Sequence, residues 1–181
     1  MHNMKTENNT TQVMDPFKGF SKETLSKFEE VKTHFPAGKE QSAIIRMLHL
    51  AQTEIGWLST EGMNEVAKAL NIEPIEVYEV ATFYTMFHIN PVGKHVFEVC
   101  RTGPCMLVGS DKIIEYIQKK LAIEVGGTSA DGMFTLKTVE CLGACGYGPV
   151  IQCNYKFHQH LTLEKVDELI DAYRSGIIEN S

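Results

Sequence analysis

Two tight cysteine pairs constrain this chain more than any other feature. Cys100 and Cys105 lie in CRTGPC, a C-x4-C spacing, and Cys141 and Cys145 lie in CLGACGYGP, a C-x3-C spacing. Four thiolates that converge on one point bind a metal or an iron–sulfur cluster. Any fold this sequence adopts must then bring two distant glycine-rich loops together. A disulfide framework is a poor alternative, because a fifth cysteine, Cys153, makes the count odd. The leading MHNMKTENNTTQ is polar and has no apolar stretch of a secretory signal. The cysteines are therefore expected in a reducing, cytoplasmic setting, where structural disulfides are rare.

At 181 residues the chain has room for one medium domain or two small ones and can bury roughly 70% of its unfolded surface. Such a chain does not need a metal merely to fold. The formal charge is −6, from 23 acids against 17 bases, and no basic stripe stands out, so nucleic acid is not an expected partner. No run approaches the ~18–20 apolar residues that span a bilayer. Direct membrane insertion is not expected, and any membrane association must come through partner proteins.

The organisation changes part-way along. Residues 1–16 read as a disordered lead-in, residues 17–91 as a helical bundle, and residues 92–181 as an α/β domain, so the fold class is α+β. In the first half, helical periodicity runs over Ser21–Phe35, with Leu25, Phe28, Val31 and Phe35 inward, and over Gln41–Ile55, stopped by Gly56. A third helix spans about Thr60–Leu70. A fourth opens at Pro74, a favoured first-turn proline, and is expected to reach Phe87. Beyond Pro91-Val-Gly93 the pattern reads as a strand at His95–Cys100, a helix at Ser110–Leu121 and a turn at Asp131-Gly132. Strands follow near 133–141, 149–153 and 155–157, then a closing helix from Leu163 to Tyr173, capped by Thr162 and stopped at Gly176. Both cysteine pairs then fall just past strand ends, where loops leaving one sheet edge can meet.

Several chemistries compete for these thiols. Disulfide exchange normally uses C-x-x-C at a helix start, and the chain contains none. A Rieske centre needs two histidines, and neither pair has one between or beside its cysteines. Structural zinc accepts four cysteines at loose spacings. A [2Fe–2S] cluster needs two thiolates per iron, which two sequence-local pairs supply. Spacing alone leaves zinc and [2Fe–2S] equally open. No P-loop and no G-x-G-x-x-G occurs, and GGTSADG at 126–132 lacks the lysine and the hydroxyl placement of a phosphate cradle, so it reads as a turn. The chain itself is expected to bind neither nucleotide nor flavin.

The strings CRTGPCMLVGS at 100–110 and CLGACGYGP at 141–149 closely resemble the small thioredoxin-like [2Fe–2S] subunit family of NADH:quinone oxidoreductase, the respiratory complex I. LHLAQTEIGWLS at 48–59 and VYEVATFYTMF at 77–87 are similar to further signature stretches of that family. The resemblance covers about residues 20–175. It implies a helical bundle followed by a thioredoxin-like ferredoxin domain, and one [2Fe–2S] cluster held by Cys100, Cys105, Cys141 and Cys145. It also implies an electron-transfer role in an NADH dehydrogenase of the respiratory chain, with no substrate site on this chain. The partners implied are an FMN- and NADH-binding subunit and further iron–sulfur subunits. Related subunits serve NAD-linked hydrogenases and formate dehydrogenases, and the alternative from a different class is a structural zinc module. Many family members carry alanine where this chain has Gly148, and the segment after Asn154, often acidic there, reads YKFHQH here.

The remaining residues receive plainer readings. Cys153 is expected to be a buried small hydrophobe, and Arg101 either a cation near the cluster or a solvated one. Tyr78, Phe83, Tyr84 and Phe87 are expected in the bundle core, and Trp57 as a packing anchor at a helix end. His158 and His160 alternate along a short segment where they would form at most a weak surface metal site.

Overall fold

The computed structural model describes residues 17–178; the expected disordered lead-in, residues 1–16, lies outside them. The chain divides into two compact units, Met1–Asn90 and Pro91–Ser181.

The first unit is built from four helices: α1 (Lys22–Lys32), α2 (Ile44–Ile55), α3 (Thr60–Leu70) and α4 (Pro74–Phe83). Their starts follow the capping chemistry of the sequence. The Ser21 hydroxyl accepts from the Thr24 N–H at the head of α1, and the Ser59 hydroxyl accepts from the Gly62 N–H at the head of α3. Glu73 and Glu76 form a capping box around Pro74. Helix α1 ends three residues before Phe35, because successive N–H groups from Thr33 to Phe35 bond three residues back and tighten the last turn. Phe28, Met47, Leu48, Ala51, Leu58 and Val66 form the centre of the core. Leu25, expected inside, is exposed.

Helix α4 departs further from expectation. It stops at Phe83 rather than Phe87, and Tyr84 is extended. The cause lies on α2, where the buried Gln52 side chain donates to the Met86 carbonyl at 2.9 Å and accepts from the His88 N–H at 2.7 Å. The His88 carbonyl in turn accepts from the Leu58 N–H. With these partners the Met86 carbonyl and the His88 N–H and carbonyl need no helical bonds. The aromatic series separates accordingly: Phe87 is buried, whereas Tyr78, Phe83 and Tyr84 are exposed, contrary to their expected place in the core. Helix α4 faces the core through Val77 and Ala81, one turn apart, and that narrow stripe turns the bulky rings outward. Trp57 is half-buried after the left-handed Gly56 that ends α2.

The second unit is a four-stranded sheet of β1 (His95–Cys100), β2 (Phe134–Val139), β3 (Ile151–Cys153) and β4 (Lys156–His158), in the order β2-β1-β3-β4. Strands β1 and β2 are parallel, and the other neighbours are antiparallel. Helix α5 (Gly103–Leu107) follows β1, α6 (Ser110–Leu121) leads toward β2, and α7 (Leu163–Arg174) closes the chain. No sequence pattern marks a helix over 101–109, so α5 is an addition. The Thr162 hydroxyl accepts from the Lys165 N–H to cap α7. The Asp131-Gly132 turn is closed by an antiparallel bridge between Thr128 and Thr135.

One face of the sheet carries Phe97, Phe134, Leu136 and Ile151, packed with Ile113, Ile117, Val166 and Ile170 of α6 and α7. The Tyr116 hydroxyl donates to Asp167 at 2.6 Å, and Lys120 pairs with the same carboxylate, so α6 and α7 are tied at their surface. Cys153 is fully buried on this side. Burial pushes its thiol up to about 12, which leaves it an uncharged space-filler. His95 is buried against Phe134 and Tyr173. His158 Nε2 stands 3.0 Å from the Tyr173 hydroxyl.

Two measurements probe these arrangements. Gln52→Leu strands a carbonyl and an N–H in the first unit and is expected to cost about 2 to 4 kcal/mol in chemical denaturation; an unchanged midpoint would contradict the latch. Burial, then the Lys156 charge, lowers the His158 pKa below its ordinary 6.5. Its contribution to stability is present above that value and is lost as pH falls through the lowered one. The melting temperature is therefore expected to drop on acidification below about pH 6.5, and His158→Phe should reduce that drop. An equal drop in the variant would remove His158 from the account.

Candidate metal centre

The sheet register brings the cysteine loops together. Cys100 is the last residue of β1, and in the parallel pairing it lies opposite Val139, the last residue of β2. Cys141 follows two residues later. The Arg101 N–H donates to the Val139 carbonyl at 3.0 Å, and the Cys100 N–H donates to the Val150 carbonyl at 3.1 Å. Cys100 is thus held between the chain entering the second cysteine loop and the chain leaving it. Cys105 sits in α5, and Cys145 opens a 3-10 turn over Cys145–Tyr147. Cys100 and Cys105 are buried with Val150, against Leu142 and Ala144, while Cys141 and Cys145 are exposed.

The thiols interact in the pairs in which the sequence places them. Cys141 and Cys145 have their sulfurs 3.4 Å apart. Burial pushes the Cys100 thiol up, but hydrogen bonds from the Thr102 hydroxyl, the Thr102 and Leu142 N–H groups and the Cys105 thiol outweigh it, and the net shift is downward. Cys105 is raised by burial and then by Cys100. The Gly143 N–H, 3.4 Å from the sulfur, and then the Cys145 thiol lower Cys141. Cys145 is raised by its hydrogen bond to Cys141, then by that neighbour's charge. In each pair the first sulfur is thus shifted toward the thiolate and the second away from it. The pairs also feel each other, since Cys145 acts on Cys105, and Cys100 acts on both Cys141 and Cys145.

Among the described residues no three or more His, Cys, Asp or Glu are gathered closely enough to hold one ion. A two-iron cluster asks for two sulfurs at each metal. Two thiolates bound about 2.3 Å from one tetrahedral metal lie roughly 3.8 Å apart, close to the 3.4 Å between Cys141 and Cys145. The donors present fit such a cluster: four soft sulfurs in two coupled pairs, with backbone N–H groups aimed at them.

Two glycines shape the loops. Gly143 takes φ +75°, a conformation that L side chains rarely adopt, and its N–H lies 3.4 Å from the Cys141 sulfur. A Cβ on Gly148 would lie 3.0 Å from Val108 Cγ2 and 3.4 Å from the Cys105 sulfur. An alanine there needs only a small retreat of the exposed Val108 side chain.

The other candidates separate from this centre. Cys153 pairs with Phe97, three residues or about 10 Å along β1 from Cys100, on the core face. Arg101 is exposed. His158 turns to Tyr173, whereas His160 stacks on Tyr147, so the two do not converge. Thr102, whose hydroxyl is 3.3 Å from the Cys100 sulfur, is not among the residues that the sequence singles out. Its only signal there is a hydroxyl two residues after a cysteine.

The model of the thioredoxin-like [2Fe-2S] ferredoxin family matches residues 28–174. The chain belongs to this family. Its cofactor is a [2Fe–2S] cluster. An NADH-quinone oxidoreductase subunit of Rickettsia prowazekii is 43% identical over 155 residues, covering 85% of this chain and 88% of the relative. The mitochondrial NADH dehydrogenase [ubiquinone] flavoprotein 2 of Dictyostelium discoideum is 41% identical over 96% of this chain and 69% of its own length. Among solved structures, an NAD+-reducing [NiFe]-hydrogenase in the air-oxidised state aligns with a TM-score of 0.67 at 20% identity, covering 75% of this chain and 23% of that one. That likeness speaks to the fold alone.

Serine substitution tests the donor set of this ferredoxin. Cys105→Ser or Cys145→Ser is expected to abolish or strongly alter the visible absorbance and lower the bound iron, while Cys153→Ser leaves both unchanged. Wild-type iron content in either of the first two variants would exclude that residue as a ligand.

Proposed function

We propose that this chain is the electron-transfer subunit of an NADH:quinone oxidoreductase, with Cys100, Cys105, Cys141 and Cys145 holding its [2Fe–2S] cluster. The observation that carries this reading is the pair-wise coupling of those sulfurs at one sheet edge, one pair buried and the other at the surface. When bound, the cluster supplies one-electron chemistry by outer-sphere transfer, without bonds made to substrate. The chain's own residues set the conditions. Cys105 and Cys145 must release their protons on loading, so loading is favoured as pH rises. Val150, Leu142 and Ala144 surround the buried pair and exclude water from it. The N–H groups of Thr102, Leu142 and Gly143 lie against Cys100 and Cys141, where they offset negative charge.

The electron partner is an FMN- and NADH-binding subunit of the same complex, accompanied by further iron–sulfur subunits. Two exposed apolar surfaces support docking to neighbours. In the second unit, Met106, Leu107 and Val108 stand out from α5 beside Cys105, with Leu107 85% exposed. In the first unit, Ile75, Tyr78, Phe83 and Tyr84 lie along α4 and just beyond it, with Phe83 78% exposed. Solvent-facing aromatic residues at this density mark interaction surfaces. Among the described residues no helix is long and apolar enough to cross a membrane. In this reading, attachment to the membrane falls to the partners, on the cytoplasmic side.

Anaerobic purification with native partners tests the reading. The isolated chain is expected to be reduced by dithionite and not by NADH, and reduction should give a paramagnetic signal. In the complex with the flavin-binding partner, NADH alone should suffice. Reduction of the isolated chain by NADH, or capture with nickel–iron hydrogenase subunits instead of quinone-reductase subunits, would overturn it.

A further inference from the structure

Thr102 occupies the N-cap of α5, with extended backbone at φ −82° and ψ 163°. A threonine there normally accepts from the N–H of the second or third helical residue. Here no such bond forms. The second helical position is Pro104, which has no N–H to offer, and the third is Cys105. The hydroxyl turns instead to sulfur, with Oγ1 3.3 Å from Cys100 Sγ in a part-buried setting. A metal-bound cysteine is a thiolate and only accepts, so in the loaded protein the hydroxyl must be the donor.

We propose that Thr102 is a positioning residue of the cluster site, whose hydroxyl donates to the Cys100 sulfur and favours the reduced state over the oxidised one. The inference rests on the four-cysteine ligation put forward above. One electron added at the site, from the flavin partner or from dithionite, raises the negative charge on the ligating sulfurs. A hydrogen bond donated to them strengthens with that charge, so it raises the reduction potential. Backbone N–H donors give the same effect but are fixed by the fold. The Thr102 hydroxyl is the adjustable one.

The test uses the full-length, cluster-loaded chain as wild type, Thr102→Val and Thr102→Ser. Valine keeps the shape and removes the donor, whereas serine keeps the donor. Iron and sulfide are measured first; a wild-type chain without a cluster would refute the ligation itself, independently of Thr102. A mediated redox titration followed by electron paramagnetic resonance then reads the potential. At the wild-type midpoint, the reduced-to-oxidised ratio is expected to fall roughly five- to tenfold in the valine variant and to stay near wild type in serine. In D2O, the iron–sulfur vibrations of wild type and serine should shift more than those of valine. Coincident titrations of valine and wild type would overturn the proposal, as would a serine variant displaced as far as valine. Should valine fail to hold iron, a normally loaded serine variant supports the hydroxyl's role, and loss of iron in serine as well overturns it.

Discussion

The parallel pairing of β1 with β2 is the constraint on which the site depends. It places Cys100 opposite Val139, so that two stretches far apart in sequence leave the sheet at the same edge. The antiparallel β3 then returns alongside, and Val150 closes over the Cys100 N–H. A one-residue slip in either pairing would send Cys100 to the face that packs Phe97 and Val99. Such a slip would also bury a ligand candidate among apolar side chains. Burial of Phe97, Phe134, Leu136 and Ile151 against α6 and α7 makes that register costly to change.

Within that frame the chemistry is an exercise in charge placement. Four thiolates in one place repel one another, and burial of Cys100 and Cys105 adds a desolvation cost. Donors from Thr102, Leu142 and Gly143 offset this at the first cysteine of each pair. The second cysteine of each pair is shifted the other way, Cys105 first by burial and Cys145 first by its hydrogen bond to Cys141. The exposed second pair and the apolar rim of Met106, Leu107 and Val108 leave the centre open to a partner on one side.

Much of this architecture was legible in the residues. β1 and α6 begin and end where the pattern placed them, because Pro91-Val-Gly93 and the isoleucine stripe are strong local signals. The cysteine spacings singled out the loops that meet. Other features were not legible, each for a physical reason. Helix α5 is five residues long and has no periodicity to read. The early end of α4 is imposed by Gln52, 34 residues before Met86, a tertiary effect that no local window contains. Tyr78, Phe83 and Tyr84 look like core because they are aromatic; their exposure fits a chain that finishes part of its surface against other proteins. Thr102 was hidden because its importance lies in a cap it does not make.

Iron-edge X-ray absorption on the anaerobically purified chain addresses the central claim most directly. The account requires iron whose nearest neighbours are all sulfur, with a second iron close beside it, and loss of that iron–iron vector when Cys100 or Cys141 is replaced by serine. Zinc in place of iron, an isolated metal with no metal neighbour, or nitrogen and oxygen ligands that survive those substitutions would contradict it.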